Sequence, residues 1–132
     1  MIGLGDELGP RRRLAPADQQ VAAYIGADNV GEFSAHARAV GRQGIVVPGP
    51  MLTAYLEQFV RTELPGWRLE RLATTFRVPT LAGTELTLRG AVTEHHDRAD
   101  GERLVCDLVI EHGDGERAVT GSATLCRFVE SA

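Results

Sequence analysis

The stretch Asp28-Asn29-Val30-Gly31-Glu32-Phe33-Ser34-Ala35-His36 gathers the side chains of this chain best suited to moving protons. A carboxylate and an imidazole within hydrogen-bond reach of one water can take a proton from it and deliver another to a substrate carbon. Two close carboxylates offer a variant, because like charges push one pKa upward and the pair can share a proton. These residues lie in a run from 26 to 44 that follows no helical or strand period, and a loop of that length in a compact domain is usually functional or disordered. Each residue also has a plainer use. Asp28 suits a turn or cap after Gly26, and Asn29 tolerates a left-handed backbone. Glu32 fits a solvated loop, and His36 fits a short exposed helix.

A second group stands at Ile45-Val-Val-Pro-Gly-Pro-Met51. Gly49 lets the chain turn sharply, and Pro50 suits a first helical turn. Apolar residues at 51, 52, 55, 56, 59 and 60 then recur at helical spacing with a broad face, until Leu64-Pro65-Gly66 stops the helix. A broad apolar face predicts a helix largely surrounded by protein. Tyr55 and Phe59 are expected to face the core or line a pocket. An earlier helix is predicted over 16–25, with Pro16 at its first position and Val21, Ala22, Tyr24 and Ile25 as its apolar face.

The rest of the sequence reads as strands. Candidates are Trp67–Val78, Thr84–His95, Leu104–His112 and Arg117–Val129, with turn signals at Asp100-Gly101 and Gly113-Asp-Gly115. Helices gathered in the first half and strands in the second predict an α+β fold in a single domain over 1–132. Strands this long, joined by tight hairpins, make a meander that must bend to cover one helix, and Gly90 and Gly121 are the cheapest places for a bend or bulge. His95, His96 and His112 are expected at the surface near strand ends. Trp67 and Phe76 are expected in the core or at an interface between subunits.

Composition narrows the functional classes. The net charge of −4 gives no general attraction to nucleic acid or to an anionic membrane. Every basic residue is arginine, and the one basic run, Arg11-Arg12-Arg13, reads as a solvated edge strand or N-terminal arm. Arg68, Arg71 and Arg77 read as exposed strand charges, with a phosphate of a carried substrate as the functional reading. No apolar run approaches a membrane span. Cys106 and Cys126 sit in alternating apolar runs with no secretory segment before them, so they are expected reduced and buried in a cytoplasmic protein. No metal-ligand spacing occurs, and no metal or cofactor is expected.

Taken in order, these segments resemble the MaoC-like acyl dehydratases, also called the R-specific enoyl-CoA hydratase family. Ile2-Gly-Leu-Gly-Asp-Glu-Leu8 resembles the family's opening. Tyr24-Ile-Gly-Ala-Asp28-Asn29 is similar to the end of its first helix and its catalytic loop, and Ile45–Met51 to the start of its central helix. Phe76-Arg-Val-Pro79, Gly83-Thr-Glu-Leu86 and Gly121-Ser-Ala-Thr124 resemble its strand signatures. The resemblance implies a hot-dog fold, a curved antiparallel sheet wrapped around a long central helix. It also implies a homodimer with the pocket at the subunit interface, and an acyl substrate carried by CoA or a carrier protein. Asp28 and His36 would manage one water across the α,β double bond. Asn29, Gly49, Pro50, Met51 and Tyr55 would line the acyl site, with the first turn of the helix holding the thioester carbonyl. Losing one such donor costs about 3 kcal/mol in enzymes that use it.

The family loop reads Asp-x-Asn-Pro-x-His, and this chain departs from it. Asn29 follows Asp28 directly, Val30 replaces the proline, and the family histidine falls on Glu32. His36 lies eight residues after Asp28 instead of five. The helix start has Pro48-Gly49 where members often have His-Gly. Three arrangements stay open: Asp28 with a displaced His36, Asp28 with Glu32 as base, or a pocket without the pair. They lead to a hydratase or dehydratase, to a natural-product (polyketide-type) cyclase or dehydratase acting by shape, or to a non-catalytic partner subunit. A hot-dog thioesterase is a lesser option, since Glu57 and Glu63 lie on the central helix but not near its start.

Overall fold

The computed structural model describes residues 2–26 and 44–128. The chain forms β1 (Glu7–Leu14), α1 (Asp18–Ile25), α2 (Gly49–Glu63), β2 (Arg68–Phe76), β3 (Glu85–Arg98), β4 (Gly101–His112) and β5 (Arg117–Phe128). The strands make one antiparallel sheet in the order β1-β3-β4-β5-β2. The α+β reading therefore holds. The run of arginines lies in edge strand β1, paired with β3.

Alternation explains how the sheet makes a core. Leu104, Cys106, Leu108 and Ile110 of β4 point to one face with Leu86, Leu88 and Val92 of β3 and with Ala123 and Leu125 of β5, all buried. They join one cluster with Leu52, Leu56, Phe59 and Val60 of α2. At roughly 25 cal/mol per Å² of apolar surface removed from water, this face is what holds helix to sheet. The opposite side of α2 is open, with Ala54, Gln58, Arg61 and Thr62 exposed. The expectation of a helix largely surrounded is thus corrected, because five strands from one chain cover only one side of it.

Several local readings change for physical reasons. Helix α1 starts at Asp18 with Ala17 as its cap, and the Ala17 N–H donates to Gln20 Oε1 at 2.8 Å. Pro16 lies before the cap, fully buried, and its carbonyl accepts from the Gly83 N–H at 3.0 Å, so it is a core plug and not a first helical residue. Only Val21 of α1 is buried, and Tyr24 is exposed. The register irregularities fall at Leu8/Arg11, Leu69/Arg71, Val92/Glu94 and Ile110/Glu111, not at Gly90 or Gly121. Gly90 and Gly121 instead allow close strand approach. A Cβ at Gly121 would come within 2.7 Å of the Ala73 carbonyl oxygen.

The two edges of the sheet differ. On β1, Glu63 of α2 accepts from the Gly9 N–H and from Arg11 Nε (2.7 Å), while the Arg13 guanidinium stacks on the Tyr55 ring at 3.3 Å. Pro10 and the irregularity at Leu8/Arg11 further spoil this edge for another strand. β2 carries no proline along its length, and Leu69 and Leu72 are half-buried on it.

Candidate functional site

The site expected from the sequence has two parts, and only one falls within the described residues. Asp28, Asn29, Glu32 and His36 lie outside them. The other part is the start of α2. Val46 bridges Leu81, the Val47 N–H donates to the Thr80 carbonyl at 2.7 Å, and the Ala82 N–H donates to the Ile45 carbonyl at 2.9 Å. This short antiparallel contact delivers the chain to Pro48, after which Gly49 begins the helix.

A helix start normally presents several unpaired N–H groups. Here Pro50 has none, and the Met51 N–H already donates to the Pro48 carbonyl at 3.0 Å. The Gly49 N–H has no acceptor among the described residues. It stands at the positive end of a helix of 15 residues, where partial charge favours an anion or a polarised carbonyl. A largely apolar cleft of about 400 Å³ opens beside it, walled by Val46, Val47, Leu52, Phe76, Val78 and Thr80. Gly49 and Pro50 line it too. Met51 is half-buried against the core.

Phe76 ends β2 and is 50% exposed. A Cβ placed on Gly49 would meet its ring at 2.6 Å (Cζ), 2.8 Å (Cε2) and 3.1 Å (Cε1). The ring therefore meets Gly49 tip first, and half of the residue stays exposed. Thr74, two residues earlier and on the same side of the strand, touches Thr53 of α2, their hydroxyls 3.3 Å apart. Of the two places expected for Phe76, core or subunit interface, the core is corrected. The ring stands at the rim, on the last residue of an edge strand.

Beneath the cleft lies a polar network that the sequence reading missed. His112 is 7% exposed and Thr80 is 1% exposed, and His112 Nε2 lies 2.8 Å from Thr80 Oγ1. His112 Nδ1 lies 3.1 Å from Glu116 Oε1. The surface expectation for His112 fails because it shares the period-2 face of Leu104, Cys106, Leu108 and Ile110. That parity was the signal. The network pins the β4–β5 hairpin to the segment that guides the chain into α2.

Other expected residues do not come to the cleft. Tyr55 lies against β1, its hydroxyl donating to the Leu14 carbonyl at 3.4 Å. Glu57 pairs with Arg61 and Glu63 with Arg11, so both helix carboxylates serve surface contacts away from the helix start. The Arg77 Nε donates to Thr120 Oγ1 at 3.3 Å at the rim of the cleft. His95 and His96 lie inside β3, which runs on to Arg98, and not at its end.

At the far end of the sheet, His95 Nε2 lies 3.1 Å from Glu102 Oε1. Arg127 donates to Glu102 Oε2 from Nε at 2.9 Å and from a terminal nitrogen, and stacks over Trp67 at 4.7 Å. The Arg127 bonds, then the His95 bond, hold the Glu102 carboxyl below its ordinary range. Among the described residues two groups have the donors for a cation, His95 with Asp97 and Glu102, and His112 with Asp114 and Glu116. In the first the Arg127 guanidinium neutralises the carboxylate. In the second the turn uses Asp114, whose Oδ1 accepts from the Glu116 N–H at 2.9 Å. Cys106 is free and buried, and burial pushes its thiol up to about 11.

A five-stranded antiparallel sheet in this order, packed on one long helix whose first turn borders a cleft, is the hot-dog fold. No protein-family model matches the chain, and no curated protein matches it in sequence. Solved structures share its fold. One is the ChsH1-ChsH2 complex from Mycobacterium tuberculosis, with 20% identity over 96% of this chain and 99% of that one and a TM-score of 0.76. A second is the (R)-hydratase from A. caviae involved in PHA biosynthesis, with 21% identity over 97% and 98% and a TM-score of 0.72. A third is the MaoC-like dehydratase from Rhodospirillum rubrum, with 21% identity over 99% and 96% and a TM-score of 0.71. No helix among the described residues is long and apolar enough to cross a membrane.

Proposed function

We propose that the chain is a MaoC-like hydratase or dehydratase acting on an enoyl or β-hydroxyacyl thioester carried by CoA or a carrier protein. The observation that carries this reading is the Gly49 N–H, without an acceptor among the described residues, at the positive end of α2 beside an apolar cleft. A thioester carbonyl accepting there is stabilised as negative charge develops on its oxygen. In the proposed hydration, Asp28 and His36 hold one water. One takes its proton as the oxygen bonds to the β-carbon, and the double-bond electrons move toward the carbonyl. The other delivers a proton to the α-carbon, and dehydration is the reverse. Glu32 in the place of His36 is the variant of the same scheme. The reading needs no redox cofactor, since the substrate is neither oxidised nor reduced overall.

The proposed assembly is a homodimer joined through the β2 edge. The spoiled β1 edge and the more open β2 edge support this choice. The ChsH1-ChsH2 structure is a complex of two named chains, so pairing with a related chain is the alternative outcome. Two unbridged, buried cysteines suit the cytoplasm.

A polyketide-type cyclase or dehydratase in the same cleft is the second reading, favoured by the half-exposed Phe76 ring in the wall. The test is hydration of crotonyl-CoA, followed by loss of enoyl-thioester ultraviolet absorbance. Asp28→Asn and His36→Ala should each lower turnover by about 100-fold or more. Unchanged rates in both variants would remove the hydratase mechanism. Turnover of a cyclisable polyketide thioester with none of crotonyl-CoA would favour the second reading.

A further inference from the structure

Packing within the single chain does not explain the Phe76 ring. Before any pairing of the β2 edge, a half-exposed phenyl there leaves apolar surface in water, and it meets α2 at Gly49, a residue with no side chain to pack on. Any larger residue at 49 would push the ring away. The two positions therefore place the ring beside the Gly49 N–H, which has no acceptor among the described residues. Aromatic residues make up only 5% of the chain, and among the described residues Phe76 is the sole aromatic lining this cleft. The remaining apolar wall is aliphatic, from Val46, Val47, Leu52 and Val78.

Resting on the acyl-thioester reading above, we propose that Phe76 is a specificity-determining residue that selects planar, conjugated acyl groups by stacking. A carbonyl oxygen on the Gly49 N–H brings the bonds next to it alongside the ring. A conjugated acyl chain is flat from the carbonyl outward, so it can lie on a ring face along its length. A saturated chain of the same length is puckered and meets the ring at fewer atoms. Stacked π-systems gain beyond their buried area. Beyond the α,β double bond that the proposed reaction itself requires, the selected class is therefore polyenoyl thioesters, flat along their length, over chains that are saturated there.

The test compares 2,4-hexadienoyl-CoA with hexanoyl-CoA by calorimetric titration of the full chain, with Asp28→Asn in every protein, the wild type at 76 included, so that the dienoyl ligand is bound and not hydrated; thermal unfolding and sedimentation are run on each variant. The wild type should prefer the dienoyl ligand by roughly threefold to tenfold. Phe76→Leu, which keeps an apolar side chain but loses the ring face, should bring that ratio to about one by weakening the dienoyl ligand more than hexanoyl-CoA. Phe76→Trp should retain the preference. An unchanged ratio in Phe76→Leu overturns the assignment. An altered oligomeric state with the ratio unmoved overturns it in favour of an interface role. A wild type that binds neither ligand overturns the acyl-thioester reading itself, and this inference with it.

Discussion

Gly49→Ala sets two local effects against each other, and the structure says which one wins. Gly49 begins α2 at a negative φ, a conformation alanine adopts freely. Alanine there limits the unfolded chain and on its own stabilises by about 0.4–1 kcal/mol. Against this, its Cβ falls 2.6–3.1 Å from three ring atoms of Phe76. Forcing a methyl into occupied space costs typically about 1–3 kcal/mol. The low end applies, because the obstructing atoms are the far end of a half-exposed side chain that can swing outward. The net expectation in the wild type is a loss of about 0.5 kcal/mol. In a Phe76→Ala background the obstruction is gone, and the same change should stabilise by about 0.5 kcal/mol. The coupling between the two sites is then about 1 kcal/mol, worth about 4 °C in Tm for a chain of this size. A double-mutant cycle by urea or thermal unfolding measures it. Equal effects of Gly49→Ala in both backgrounds would refute the tip-on contact and the reasoning built on it.

Three further outcomes are expected. Gly101→Ala should destabilise by more than about 2 kcal/mol in denaturant unfolding, because at φ 154 its Cβ would collide with the Arg127 carbonyl and lie 2.9 Å from Phe128 Cα. Gly115→Ala, at φ 88 with open space around it, should cost only the conformational strain of about 1–2 kcal/mol, and an equal cost at both sites would contradict the collision. The Glu102 carboxyl is held below its ordinary value of 4.5, first by Arg127 and then by His95. Its contribution is complete above that value and disappears as the pH falls through the lower folded-state one. The Tm gap between wild type and Glu102→Gln should therefore be widest near pH 6 and close toward pH 3, and a constant gap would count against it. With its thiol raised to about 11, Cys106 should resist alkylation at pH 8 in the native protein and react once urea unfolds it. Rapid native labelling, located by mass spectrometry, would contradict its burial.

Local punctuation made most of the fold legible in the sequence. Pro50 and Leu64-Pro65-Gly66 bracket α2 because proline and glycine act on the backbone wherever they stand. Asp100-Gly101 and Gly113-Asp-Gly115 mark the two hairpins for the same reason. What escaped depends on partners distant in sequence. Pro16 resembles a helix start until Gly83 supplies its donor. His112 resembles a surface residue beside a glycine until Thr80, 32 residues away, reaches it across the fold. Phe76 follows an apolar alternation, but an edge strand ends there, so the inward face at that point is a rim and not a core. The helix start was readable in the same local terms, with Gly49 and Pro50 lining the cleft. Tyr55 shares the helix's apolar stripe with Leu56 and Phe59, yet helical spacing does not say which strand each residue meets, and Arg13 of β1 takes its ring.

The central claim is that an acyl thioester sits in the cleft at the first turn of α2. An ¹⁵N NMR titration of the protein with crotonyl-CoA addresses this residue by residue. Saturable shifts are expected to concentrate at the amides of Gly49, Met51, Phe76 and Thr80, with Gly49 among the largest. Shifts confined to the opposite face of the sheet around Ala91, Asp107 and Ser122, or none at saturating ligand, would contradict it.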